Sequence, residues 1–235
     1  MIRNLKILIA AAMALAALGA ISAGGASAAE YHCTVEPCRV TLKPDGTGKT
    51  THQVFILKGK NGAGEAVSGS FTCNELDGTG LANTKTTKEL TITGATPTGC
   101  SIAGTPTTID MNGCDSLFIA GPPSTVTIKC PAGKQIESTI LSAGVLKCTI
   151  DTPAQGPLTG VTYHDANTGG VPKTELTIET LIKDVTGINA TPAAGGSCIP
   201  YVGFNGLATE GEYTTGNTIV TGETTAGVHG SVWYE

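Results

Sequence analysis

The residues with chemistry to offer are few and scattered. His164-Asp165 is the one adjacent His-Asp pair, whereas a serine or cysteine hydrolase needs a nucleophile, a base and an orienting carboxylate held together. Neighbours on a strand point to opposite faces, so this pair makes no buried contact if a strand runs through it. His164 and His229 stand as candidate bases of a secreted hydrolase, but the chain lacks a G-x-S-x-G elbow to present a serine. A glycosidase needs two carboxylates across a cleft, and 19 acidic residues give no means of choosing a pair.

Metal chemistry meets similar obstacles. Asp110-Met111-Asn112-Gly113-Cys114-Asp115 begins like a calcium loop, then places Cys114 at an oxygen position and Gly113 too early, so an Asn-Gly turn is the better reading. The tetrapeptide Asp-Gly-Thr-Gly occurs at Asp45 and again at Asp77. Neither copy gathers the carboxylates calcium requires, and both read as turns. Zinc would want C-x-x-C spacing, whereas the nearest cysteines, Cys33 and Cys38, have four residues between them. No cofactor is implied. Trp233, Tyr201 and Tyr213 are candidate aromatic platforms for a carbohydrate or other ligand, though aromatics at strand ends more often pack the core.

The elements around these residues are easier to read. Residues 1–28 have the form of a secretory signal peptide: basic Arg3 and Lys6, an apolar run from Ile7 to Ile21, and Ala26-Ser27-Ala28 as a cleavage site. The run is shorter than the ~20 residues a membrane helix needs, so no span is expected after cleavage. Residues 29–235 then carry 12 basic and 19 acidic side chains. That balance, with no basic run, disfavours nucleic acid and anionic membranes as partners. Thr-rich strands and close-set Gly and Pro predict an all-β protein.

All eight cysteines follow the signal segment, which for an exported chain predicts a disulfide framework of Cys33, Cys38, Cys73, Cys100, Cys114, Cys130, Cys148 and Cys198. Thr125–Ile150 reads as a three-stranded meander with turns at Pro131-Ala132-Gly133 and Ser142-Ala143-Gly144. Matching pieces recur in order. Lys88–Ile92 resembles Thr174–Ile178, Ala95-Thr96-Pro97 before Cys100 resembles Ala190-Thr191-Pro192 before Cys198, and Met111-Asn112-Gly113 resembles Phe204-Asn205-Gly206. Tyr163 and Leu207 stand where the second copy would carry Cys73 and Cys114. Loss of both together predicts Cys73 bonded to Cys114, beside the local pair Cys33–Cys38. Cys130–Cys148 and Cys100–Cys198 complete that scheme.

The linker-like 151–157 places a boundary between modules 29–152 and 153–235, each expected to be a Greek-key or immunoglobulin-like β-sandwich. Within the second, Thr174–Val185 fits a strand, with room for a helical turn after it. The segments CPAGKQIE and QGPLTGVTY resemble secreted, cysteine-containing β-rich proteins of actinobacteria that carry no assigned function. The likeness runs from Phe71 onward and implies secretion and a β-fold, with no catalytic residue to carry over. The expected role is a non-enzymatic structural or binding module of the cell envelope or extracellular space, meeting a protein or wall polymer. The His-based hydrolase is the alternative.

Overall fold

Runs of Thr, Val and Ile broken by glycine become strands in the computed structural model, which describes residues 29–43, 52–165, 175–223 and 229–234. The first third holds β1 (Tyr31–Cys33), β2 (Cys38–Lys43), β3 (Gln53–Lys60), β4 (Ala66–Cys73), β5 (Glu75–Ala82), β6 (Thr86–Thr87) and β7 (Glu89–Thr98). The middle holds β8 (Ser101–Ile102), β9 (Thr105–Asp110), β10 (Asp115–Ile119), β11 (Thr125–Lys129), β12 (Ile136–Ser142), β13 (Val145–Thr152), β14 (Gln155–Thr159) and β15 (Val161–Asp165). The rest holds β16 (Glu175–Val185), β17 (Asn189–Pro192), the single-turn helix α1 (Ile199–Val202), β18 (Gly206–Leu207), β19 (Glu210–Glu223), β20 (His229–Gly230) and β21 (Val232–Tyr234). The protein is all-β with extensive antiparallel sheet.

Two series of strands share one wall. The first runs β15–β16–β19–β2–β5–β7–β10–β11–β14, each pair antiparallel. Its ends meet, because β14 passes into β15 through Gly160 and lies against β16, where the Leu181 N–H donates to the Gly160 carbonyl at 2.7 Å. It encloses a core that includes Val40, Leu90, Ile92, Val126, Leu176, Ile178 and Val220. The second series runs β19–β3–β4–β8–β9–β12–β13–β17–β18. It closes where the Thr209 N–H donates to the Lys58 carbonyl and the Ala208 N–H to that of Ile188, both at 2.8 Å. Its core includes Leu57, Phe71, Ile102, Ile140, Ile150, Val202 and Phe204.

The shared wall is β16 with β19. Residues Ile219–Glu223 of β19 pair with β2, and Glu210–Thr215 pair with β3. Each enclosure is sandwich-like, with apolar side chains facing inward from strands on opposite sides. A small sheet, β21–β1–β6, adds Tyr31 and Val232 to the first core.

The strand pairing crosses the boundary expected at 152/153. Four stretches pass from one series to the other with only a short break: β4–β5 at Asn74, β7–β8 at Gly99-Cys100, β13–β14 at Pro153-Ala154, and β16–β17 after Val185. The linker-like composition of 151–157 marks one such break. Leu90 and Ile92 and their repeat counterparts Leu176 and Ile178 fall in the same core.

Several local expectations also change. The hairpin β12–β13 forms, with Ala143 and Gly144 at φ 52° and 75°, but β11 pairs with β10 and β14 instead of β12. Asp77–Gly80 is strand: Cβ atoms at Gly78 and Gly80 would lie 2.8 Å from Leu42 and 2.6 Å from Val40, so these glycines admit core side chains. The copy at Asp45 lies outside the described residues. Asn112-Gly113 is a type I′ turn, φ 50° and 77°, closed by the Cys114 N–H donating to the Met111 carbonyl.

The cysteines pair as Cys33–Cys38, Cys73–Cys100, Cys114–Cys130 and Cys148–Cys198. Cys73–Cys114, Cys130–Cys148 and Cys100–Cys198 are therefore replaced. Register is the reason. Thr72 faces Ser101, so the next step sets Cys73 opposite Cys100; Asp115 faces Lys129, so the next sets Cys114 opposite Cys130. Cys148, in β13, reaches Cys198 at the start of α1, with both sulfurs in the second core.

Candidate ligand cavity

Where the two cores meet, a cavity of about 150 Å³ remains. Leu42, Ile92, Val126 and Ile178 line it from the first core, and Leu57, Phe71, Ile150 and Ile188 from the second. The shared wall adds Thr180, Ile182, Val185, Tyr213, Thr215 and Thr218. Two β-bulges aim these residues inward. The register between β16 and β19 shifts between Ile178 and Thr180 and again between Ile182 and Val185, where Asp184 takes φ 59°.

An apolar cavity of this volume is of the size that admits benzene in other proteins. Its lining on β16 extends from Ile178 to Val185, a run of roughly 20 Å at about 3.3 Å per residue.

Most polar groups in the wall are already satisfied. Thr180 and Thr215 bond reciprocally, each backbone N–H donating to the other's hydroxyl at 3.2 and 3.1 Å. Gln53, wholly buried, donates to the Glu75 carbonyl and accepts from the Tyr213 hydroxyl, both at 3.0 Å. Burial pushes the Tyr213 phenol well above its ordinary value. Glu212, the charged residue of the lining, is hydrogen-bonded by the Lys58 ammonium, which also bonds Glu210 at 3.1 Å. That contact lowers the Glu212 carboxyl and raises the Lys58 ammonium. Thr218 differs: it is 3% exposed and its Oγ1 has no partner.

Of the residues marked by sequence, the structure brings only Tyr213 to the cavity. Tyr201 lies half-buried on α1 against the second core. Trp233 stacks on His32, ring centroids 5.4 Å apart and planes at 14°. His164 is on an outer face, about half exposed, with Nε2 3.1 Å from Glu179 Oε2. The backbone of His229 pairs with Glu223 in β20; its side chain lies outside the described residues. Among the described residues no three of His, Cys, Asp or Glu gather into a metal-ligand group, and no helix is long and apolar enough to cross a membrane. Sequence reading missed Gln53, Thr215 and Thr218, since a threonine facing inward and one facing water give the same signal on a Thr-rich strand. No protein-family model, curated protein or solved structure matches the chain.

Proposed function

We propose that the chain is an exported, non-catalytic binding protein of the cell envelope or extracellular space, holding a small apolar ligand between its two cores. The observation that carries this reading is the cavity, about 150 Å³ and walled by aliphatic and aromatic side chains from both series. An interior normally packs to the density of an organic crystal, and unfilled apolar space forfeits both dispersion contacts and the stability a filled core would give. A protein whose work is binding gains a ligand site in return. Four disulfides support the extracellular setting, since such bonds persist in oxidising compartments. The hydrolase alternative draws less support: His164 faces Glu179 on the outside, away from the cavity.

The test is titration of the folded protein with benzene, followed by methyl NMR. Shifts concentrated at Ile150, Ile178, Ile182 and Val126 are expected. Saturating benzene that leaves these methyls unmoved would remove the binding reading. Export is tested by fractionating the host, and retention with the cytosol would contradict it.

A further inference from the structure

We propose that one end of the second series docks on a lipid surface, with three neighbouring loop tips entering the outer edge of the bilayer. This goes beyond the cavity and does not depend on it.

Register gathers the loops. Thr107 of β9 lies opposite Ile140 of β12, Ile140 opposite Cys148 of β13, and Cys148 opposite Pro192 of β17. The β8–β9 turn, the β12–β13 turn and the loop from β17 to α1 therefore stand side by side at one end. The third is fixed there by the Cys148–Cys198 bond and by the Ala193 N–H, which donates to the Lys147 carbonyl at 3.1 Å. Among the described residues seven large apolar side chains are exposed, and four of them are here: Leu141, Val145, Leu146 and, at the start of α1, Ile199. Leu141 and Leu146 sit directly opposite each other across the hairpin. Apolar side chains gathered in this way at a water-facing end mark a site of interaction.

Charge, shape and area together select lipid as the occupant. Segments 101–109, 138–150 and 190–209 hold one charged residue, Lys147, in a chain with 19 acidic side chains. A carboxylate pressed into the bilayer would lose its hydration without a partner, and this end carries none in those segments. The shape is that of separate projections. Gly104, Gly144 and Gly195 each take positive φ with nothing within 4 Å of the place a Cβ would occupy, so each loop ends in a free tip. A bilayer admits such tips one by one, whereas a folded partner must match their outline. The half-exposed aliphatics and the small residues beside them offer roughly 400–500 Å². That is short of the ~800 Å² each partner contributes to a standard interface, which disfavours a second copy of the chain. Binding at a membrane surface scales instead with the apolar area inserted.

The experiment is flotation of the exported chain, disulfides intact, with phosphatidylcholine vesicles. Wild type should float with the lipid, and its partition should change less than about twofold between low and high salt, because apolar insertion is not screened. Val145→Asp and Ile199→Asp, on two different loops, should each weaken partition about fivefold or more, since a carboxylate resists burial. Val145→Ser should shift it in the same direction by less, which separates lost apolar area from added charge. Leu181→Asp, an equally exposed position on β16 of the shared wall, should stay within about twofold of wild type. All four variants are expected to melt as wild type does, because none of these side chains is buried. Wild type left behind by the vesicles, or an equal loss in L181D, would overturn the proposal. Binding confined to vesicles with added phosphatidylglycerol and abolished by salt would replace insertion with a charge contact and overturn it too. A wild-type dimer in sedimentation that V145D dissociates would give this end to a second copy instead of lipid.

Discussion

Asp151 sits in β13 opposite Glu137 on one side and Asn189 on the other, and its Oδ1 is buried without a partner. Desolvation raises the carboxyl above its ordinary value, and a hydrogen bond from Gln135 opposes that only in part. An acid raised in the folded state holds its proton more tightly there than in the unfolded chain. Asp151 therefore destabilises the fold at neutral pH, and the penalty is relieved as pH falls through the folded value. Asp151→Asn should raise the melting temperature at pH 7 and give a smaller gain near pH 4, read by thermal melts at the two pH values; no gain at pH 7 would contradict this. Tyrosine gives the alkaline counterpart. Burial pushes the phenols of Tyr31, Tyr163 and Tyr213 upward, with Tyr31 and Tyr163 joined hydroxyl to hydroxyl. Unfolded phenols ionise near pH 10, so stability should decline as pH rises past that point. In a spectrophotometric titration three of the five tyrosines should ionise only with unfolding. Five ionising together before any loss of structure would sink the assignment.

At the scale of elements, turns and strands were legible and partners were not. Asn112-Gly113 was readable because Asn and Gly are the residues that adopt positive φ, and Gly144 marked the second turn although Ala143 beside it also takes φ 52°. Within β16, Ile178, Leu181, Ile182 and Val185 also fit a helical face; Leu181 is in fact exposed, and the bulge at Asp184 shifts the two-residue alternation by one step, so Val185 joins the inward face three residues after Ile182. Register, and with it three of the four disulfides, depends on which strand arrives alongside, and no residue of either strand announces that. Gly160 shows how much one such meeting decides. Its φ is 98°, and a Cβ there would lie 2.1 Å from the Leu181 carbonyl, the backbone of the strand that closes the first series. Gly144 is also left-handed, φ 75°, but open to space. Gly160→Ala should therefore cost about 3 kcal/mol or more, against about 1 kcal/mol for Gly144→Ala. Urea midpoints of the two variants measure the difference, and equal costs would mean that the β14–β16 contact is loose.

The whole molecule has two cores but no chain segment that owns either one. The first core takes residues from Tyr31 to Val232, and the second takes Leu57 and Phe71 together with Val202 and Phe204. Opening either core would strip partners from β16 and β19, and β4–β5, β7–β8 and β13–β14 would carry the disturbance into the other. Calorimetry should accordingly show one transition, with calorimetric and van't Hoff enthalpies equal. Two resolved transitions would restore the picture of separable modules at 152/153. The disulfides sharpen the test. Cys148–Cys198 spans 50 residues and Cys33–Cys38 spans 5, so loop-closure entropy assigns them about 4 and about 2 kcal/mol. Cys148 and Cys198 lie in the second core, Cys33 and Cys38 in the first. Replacing Cys148 and Cys198 with alanine should lower the single transition further than replacing Cys33 and Cys38, without splitting it. A second transition appearing only in the Cys148/Cys198 variant would mean that the second core, once that bond is lost, melts without the first, so that the continuous strands do not couple the two.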